Sequence, residues 1–106
     1  VLDHACGAGT DLLLAAARVG PRGRAIGVDL SHGMRAHALE AAREAGLDER
    51  VQVLEGDFAH LPLSTASVDV VLSNGVLNLA ADKPRVLAEV ARVLRPGGRL
   101  YLCDVV

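Results

Sequence analysis

Asp3, Asp29 and Asp57 each stand at or just beyond the end of a short run rich in Val, Leu and Ile. Carboxylates accept hydrogen bonds from paired hydroxyls and from amines, and at the ends of parallel strands they converge on one crevice. The first of them opens Asp3-His4-Ala5-Cys6-Gly7-Ala8-Gly9, which a helical pattern follows. Strand, glycine-rich turn and helix together let backbone approach a ligand closely. A dinucleotide fingerprint, G-x-G-x-x-G begun at Gly7, is met at Gly9 and fails at Leu12. What remains is an acid followed by small residues at alternate positions: Asp3, Ala5, Gly7 and Gly9. A plain tight turn uses the same glycines, so the loop takes its meaning from its surroundings. Asp29 lies 20 residues beyond Gly9, the separation at which an acid hydrogen-bonds a ribose diol. The alternative for Asp29 is a strand-end residue capping a turn, and for Asp57 and Phe58 a turn and a core position.

The elements that hold these residues alternate. Short β-branched runs and Ala-rich helical runs follow one another, the pattern of a parallel α/β sheet. Strands are expected over 1–3, 25–29, 51–55, 68–73 and 99–106. The fourth is a near-continuous apolar run, which fits a strand covered on both faces. A first helix is expected over 11–19, capped by Thr10 or Asp11 and stopped by Gly20-Pro21. A second runs from a Ser31 cap to Ala45 and ends at Gly46. The third starts at Asp82, repeats Val86, Leu87, Val90, Val93 and Leu94 at helical spacing, and is ended by Pro96-Gly97-Gly98. The whole reads as one module over 1–106. Right-handed crossovers make a doubly wound sheet with helices on both faces its natural architecture. A fifth strand at the rim presents Leu100-Tyr101-Leu102-Cys103 as an open apolar edge.

Composition narrows the function. Ala, Val and Leu carry a 51% apolar content, while Phe58 and Tyr101 are the only large aromatics. A small-molecule pocket ordinarily contains several such groups, so the substrate-contacting parts are expected elsewhere. The formal net charge is -2 and no stretch concentrates Lys and Arg, which argues against a nucleic-acid footprint. No apolar run reaches a membrane-spanning length, and Cys6 and Cys103 have neither metal-ligand nor redox spacing, so a cytoplasmic setting is the default. His4, His32, His37 and His60 show no metal spacing and are expected at the surface or in loops, His4 alone lying near the glycine loop.

The acid followed by alternating small residues resembles the first motif of class I S-adenosylmethionine-dependent methyltransferases. The resemblance extends through Gly56-Asp57-Phe58, Leu61-Pro62 and Leu94-Arg95-Pro96-Gly97-Gly98-Arg99-Leu100, and so covers the chain from first motif to fifth strand. It implies a Rossmann-like sheet in the order 3-2-1-4-5, with S-adenosyl-L-methionine as cofactor and a small molecule as methyl acceptor. It also implies roles. Asp3 meets the ammonium of the cofactor's amino acid end, Leu30 packs on the adenine, Asp57 accepts from the adenine amino group and Phe58 flanks the base. Ala5 stands where the family usually has glycine, a change tolerated if its φ stays negative. The chain opens inside one strand and closes at the end of another, so the expectation is a truncated methyltransferase core. A non-catalytic cofactor-binding scaffold is the alternative.

Within that family, Ser73-Asn74 through Asp82-Lys83, together with Asp11 and Asp104-Val105, is most similar to arsenite methyltransferases. Asn74 is read either as a contact to the methionine portion or substrate, or as a strand-end residue closing a turn. Arsenite methyltransferases typically carry a cysteine ligand directly after the Ser-Asn pair, and this chain has Gly75. Cys6 in the loop and Cys103 in a strand expected to be buried are poor substitutes, since buried thiols are inert. The identity of the acceptor, any general base and the oligomeric state stay open.

Overall fold

The structure, a computed structural model, describes residues 1–20 and 22–103. Strands β1 (Leu2–Asp3), β2 (Ala25–Asp29), β3 (Val51–Glu55), β4 (Val68–Asn74) and β5 (Leu94–Cys103) alternate with helices α1 (Thr10–Arg18), α2 (His32–Glu44) and α3 (Lys83–Val93). Single 3-10 turns at Asp48–Arg50 and Leu77–Leu79 were not anticipated. All strand pairs are parallel and the sheet order is β3-β2-β1-β4-β5, as expected. From β1 the chain steps outward to β2 and β3, then returns to the other side for β4 and β5. The direction of winding therefore reverses between β1 and β4, where the C-terminal strand ends leave a crevice.

Each face of the sheet has its own core. On one, Val90 and Val93 of α3 pack with Leu2, Val28, Val68 and Val71. Leu2, Val28, Val71 and Val93 are wholly inaccessible to solvent, and burying each side chain contributes roughly 1.5–3 kcal/mol of transfer free energy. On the other face, Leu12 and Ala16 of α1 and Ala38 and Ala42 of α2 pack on Ala25 and Val51. Small residues let these helices sit close: a Cβ at Gly27 would stand 2.7 Å from Leu12 Cδ2 and 2.8 Å from Cys6 Sγ.

Helix ends follow the capping chemistry with one correction. Ser31 Oγ accepts from Met34 N–H at 3.2 Å and Asp82 Oδ1 from Arg85 N–H at 3.1 Å, as expected. At α1, neither Thr10 nor Asp11 is the cap. Gly9, at φ 96°, is the N-cap residue and supplies no side chain, so a left-handed backbone turn starts this helix. The helix closes at Val19; Pro21, expected to help stop it, lies outside the described residues.

Two strands differ from their sequence readings. Strand β5 starts at Leu94, directly after α3, rather than at Arg99: Leu94 pairs with Val68, and the ladder resumes at Val70–Arg99. Pro96-Gly97-Gly98 is thus an irregularity inside β5, with Gly97 at φ 81°. Strand β4 alternates buried and accessible positions instead of being covered throughout. The physical reason is an open groove on one face, which Val70 and Leu72 line together with Tyr101 and Leu102 of β5, both about half exposed. Cys103, expected to be buried, is exposed for the same reason. Asp104 and Val105, part of the resemblance above, lie outside the described residues. No helix among the described residues is long and apolar enough to cross a membrane.

The segment leaving β3 is pinned to α3. Arg92 donates to Leu61 O at 3.0 Å and Leu63 O at 2.8 Å and pairs with Glu89, whose carboxylate accepts from Leu61 N–H at 2.9 Å. This clamp fixes the loop that begins at Asp57.

Candidate functional site

The glycine loop continues β1 before it turns. Cys6 N–H donates to Val28 O at 2.9 Å, and Gly9 N–H returns to Cys6 O at 2.9 Å. Gly7 and Gly9 take φ of 53° and 96°, and a Cβ at Gly9 would lie 3.0 Å from Ala38 Cβ. Ala66 is the one described non-glycine residue at positive φ, so Ala5 avoids the conformation that would have made its methyl costly. Asp29 closes the loop from the neighbouring strand. Its Oδ2 accepts from Gly7 N–H and its Oδ1 from Ser31 N–H, both at 2.9 Å. Arg35 donates to the carbonyls of Asp29 and Leu30, both at 3.0 Å, and steadies the backbone behind. Each carboxylate oxygen has a further lone pair, so Asp29 retains acceptor capacity for a ligand.

Beside this loop a cavity of about 170 Å³ opens at the C-terminal ends of β1, β2 and β3, lined by Ala5, Asp29, Leu30, Gly56, Asp57 and Phe58, with His4. The residues expected from sequence at the ends of three strands are thus brought to one place. Leu30 is exposed and presents an uncovered apolar surface. Asp57 Oδ1 accepts from Ala59 N–H at 2.9 Å, which fixes its carboxylate. Phe58 lies tilted against His4, with ring centroids 6.3 Å apart. Gly56 is required by packing: an added Cβ would meet Pro62 Cδ at 2.8 Å and Val28 Cγ1 at 3.0 Å. Asp3, Gly7 and Gly9 shape the loop without lining this cavity. Asn74 stands apart, at a groove of about 480 Å³ between α1, β4 and β5. Its Nδ2 donates to Asp11 Oδ2 at 2.9 Å.

The sequence places Gly56 and Asp11 in family-like segments without a role at the site, and His4, expected at the surface or in a loop, is buried. His4 is 1% exposed, with Nε2 2.9 Å from Ser73 Oγ across the β1–β4 junction. It follows a strand end in an apolar setting, and burial lowers its pKa to about 4. Asp3 is 5% exposed. Burial first, then the Asp11 and Asp29 charges, push its pKa up to about 6 against the pull of the Ala5 N–H. Burial first, then the Asp3 and Asp29 charges, raise the Cys6 thiol to about 11. The Asp11 and Asp29 carboxylates disfavour the charged form of Asp3, a repulsion that a ligand carrying positive charge would relieve.

The sequence profile of the family described as methyltransferase domain matches residues 1–106. The chain belongs to the methyltransferase domain family. It is 48% identical over 106 residues to an arsenite methyltransferase of Halobacterium salinarum, covering all of this chain and 27% of that protein. Identity to the nocamycin O-methyltransferase of Saccharothrix syringae is 46% over 103 residues, covering 96% of this chain and 36% of that one. Among solved structures, an arsenic(III) S-adenosylmethionine methyltransferase from Chlamydomonas reinhardtii superposes with a TM-score of 0.89 at 36% identity, over 97% of this chain and 37% of the other. The methyltransferase domain seen here thus spans about a quarter to a third of the curated relatives.

Proposed function

We propose that this methyltransferase domain binds S-adenosylmethionine across the ends of β1 to β3 and serves methyl transfer to a small-molecule acceptor. The observation that carries the reading is the convergence of Asp29, Leu30, Asp57 and Phe58 on one cavity beside the glycine loop. The donor set fits the group. Asp29 keeps lone pairs for a ribose diol, Asp57 offers an acceptor to an amino group, and Leu30 and Phe58 offer apolar faces to a base. The loop at Ala5, Gly7 and Gly9 admits close backbone approach. Asp3, acted on by the Asp11 and Asp29 charges, suits an ammonium group, which would relieve their mutual repulsion.

When bound, the cofactor supplies an activated methyl group on a sulfonium. The domain's own contribution is alignment, which lowers the entropic part of the barrier without an obligatory base. Resemblance and the 48% identity favour trivalent arsenic, yet an O-methyltransferase is nearly as similar. Gly75, where arsenite methyltransferases carry cysteine, has a φ of 69°, a conformation suited to glycine. Of the two thiols, Cys6 is buried and Cys103 is exposed, so an arsenic acceptor would need thiolates beyond these two.

Photo-crosslinking of methyl-labelled S-adenosylmethionine tests the site. Wild type should retain label, with Asp29→Ala and Asp57→Ala each losing most of it. Equal labelling of all three proteins would contradict the assignment. Label transfer offered in parallel to arsenite and to a phenolic hydroxyl then reads the acceptor class.

A further inference from the structure

Asp11 and Asn74 meet across the point where the sheet reverses its winding. Asn74 ends β4, and Asp11 lies in the first turn of α1, the helix that follows the β1 loop. The Asn74 backbone is already set by β5, since Asn74 pairs with Cys103 and Gly75 N–H donates to Cys103 O at 2.7 Å. The side chain is what remains adjustable, and it is fixed by the 2.9 Å bond from Nδ2 to Asp11 Oδ2. An ionised carboxylate only accepts, so the nitrogen end of the amide must face Asp11 and the oxygen end is left free for a ligand.

The geometry points to Asp11 as a positioning residue. It orients the Asn74 amide so that an acceptor oxygen faces the cationic amino acid end of the cofactor at the β1–β4 crevice. This rests on the cofactor reading above, which places the adenosine on the β2–β3 side and leaves the amino acid end to β1 and β4. Asp11 is then a determinant of affinity for that end and is indifferent to the nucleoside.

Two ligands separate the ends. S-adenosylhomocysteine carries the amino acid group, and 5′-methylthioadenosine lacks it. Calorimetric titration of the full chain and its variants at pH 7.5 is expected to show Asp11→Ala and Asn74→Ala each weakening S-adenosylhomocysteine binding by about fivefold to tenfold, the scale of one charge-assisted hydrogen bond. Asp11→Ala with Asn74→Ala together should weaken it no further, because both remove the same contact. Asp11→Asn, whose amide oxygen still accepts from Asn74, should return affinity to within about threefold of wild type. Binding of 5′-methylthioadenosine should be unchanged throughout. Equal loss for both ligands, or additive losses in the double variant, would overturn the inference and leave Asp11 a mere tether of α1. Should Asp11→Ala fail to fold by circular dichroism, Asn74→Ala at its exposed strand end and the conservative Asp11→Asn carry the same comparison. If folded wild type bound neither ligand, the cofactor reading itself would fall, an outcome distinct from any pattern among the variants.

Discussion

Gly7 and Asp29 lie 22 residues apart in sequence and are joined by a 2.9 Å hydrogen bond from backbone N–H to carboxylate. The second strand's terminal acid is therefore part of the first strand's loop. One carboxylate organises two backbone turns, since its other oxygen holds Ser31 N–H at the start of α2. Any ligand that engages Asp29 meets an acid already oriented by the fold, and little ordering remains for binding to impose.

Asp29→Ala should accordingly damage both fold and site. Two N–H groups lose a charged acceptor, which costs about 1–3 kcal/mol of stability, and cofactor affinity should fall by more than about tenfold. Asp29→Asn keeps one acceptor oxygen and should lie between. Urea denaturation and calorimetric titration measure the two effects; stability lost without any loss of affinity would confine Asp29 to a structural role.

Opposed titrations at the β1 end set a pH dependence. Asp3 has its pKa raised from 3.8 to about 6 by folding, so its contribution to stability is complete below pH 3.8 and is lost as pH rises through 6. His4 has its pKa lowered from 6.5 to about 4, so its contribution is complete above pH 6.5 and is lost as pH falls through 4. Each amounts to about 3 kcal/mol and they act in opposite directions. His4→Leu removes one side of the balance. Measured by urea midpoint, its stability relative to wild type should increase by about 2–3 kcal/mol between pH 7 and pH 4. A pH-independent difference between the two proteins would show that His4 does not titrate as its burial requires.

How much of this was legible in sequence depends on range. Helix α3 was readable because Val86, Val90 and Val93 repeat at helical spacing behind an Asp82 cap, and these are the buried residues of that helix. The cavity was readable because acids at strand ends have nowhere else to converge in a parallel sheet. The Asp11–Asn74 contact was not, since 63 residues separate the partners and neither type signals the other. His4 was read as a loop residue because its type is polar, whereas its position next to a central strand turns it inward against Ser73. Pro96-Gly97-Gly98 was read as the end of a helix because turn residues serve equally in a bulge, and only the β4 register shows which.

Gly9 is the loop residue least able to change. A side chain there combines a φ of 96° with a Cβ 3.0 Å from Ala38 Cβ. Gly9→Ala should cost about 1–3 kcal/mol through backbone strain and overpacking between α1 and α2. Gly46→Ala, with a φ of 71° and open space around it, should cost less. Thermal melts of the two variants rank them, and an equal or reversed order would contradict the packing described.

The two thiols should differ sharply. Cys103 is exposed, while Cys6 is buried with its pKa raised to about 11. An aromatic disulfide reagent at pH 8 should modify Cys103 rapidly and Cys6 only on unfolding, because the thiolate is the reactive form. Rapid modification of Cys6 in the folded protein would mean that the glycine loop opens in solution.

The most direct test of the central claim is calorimetric titration of the wild-type chain with S-adenosylhomocysteine at pH 7.5 and again at pH 5. Saturable binding to a single site is expected, weaker by up to about tenfold at pH 5 as Asp3 takes up its proton and no longer meets an ammonium group. Absence of binding at both pH values by a chain shown to be folded would contradict the assignment of this cavity to S-adenosylmethionine.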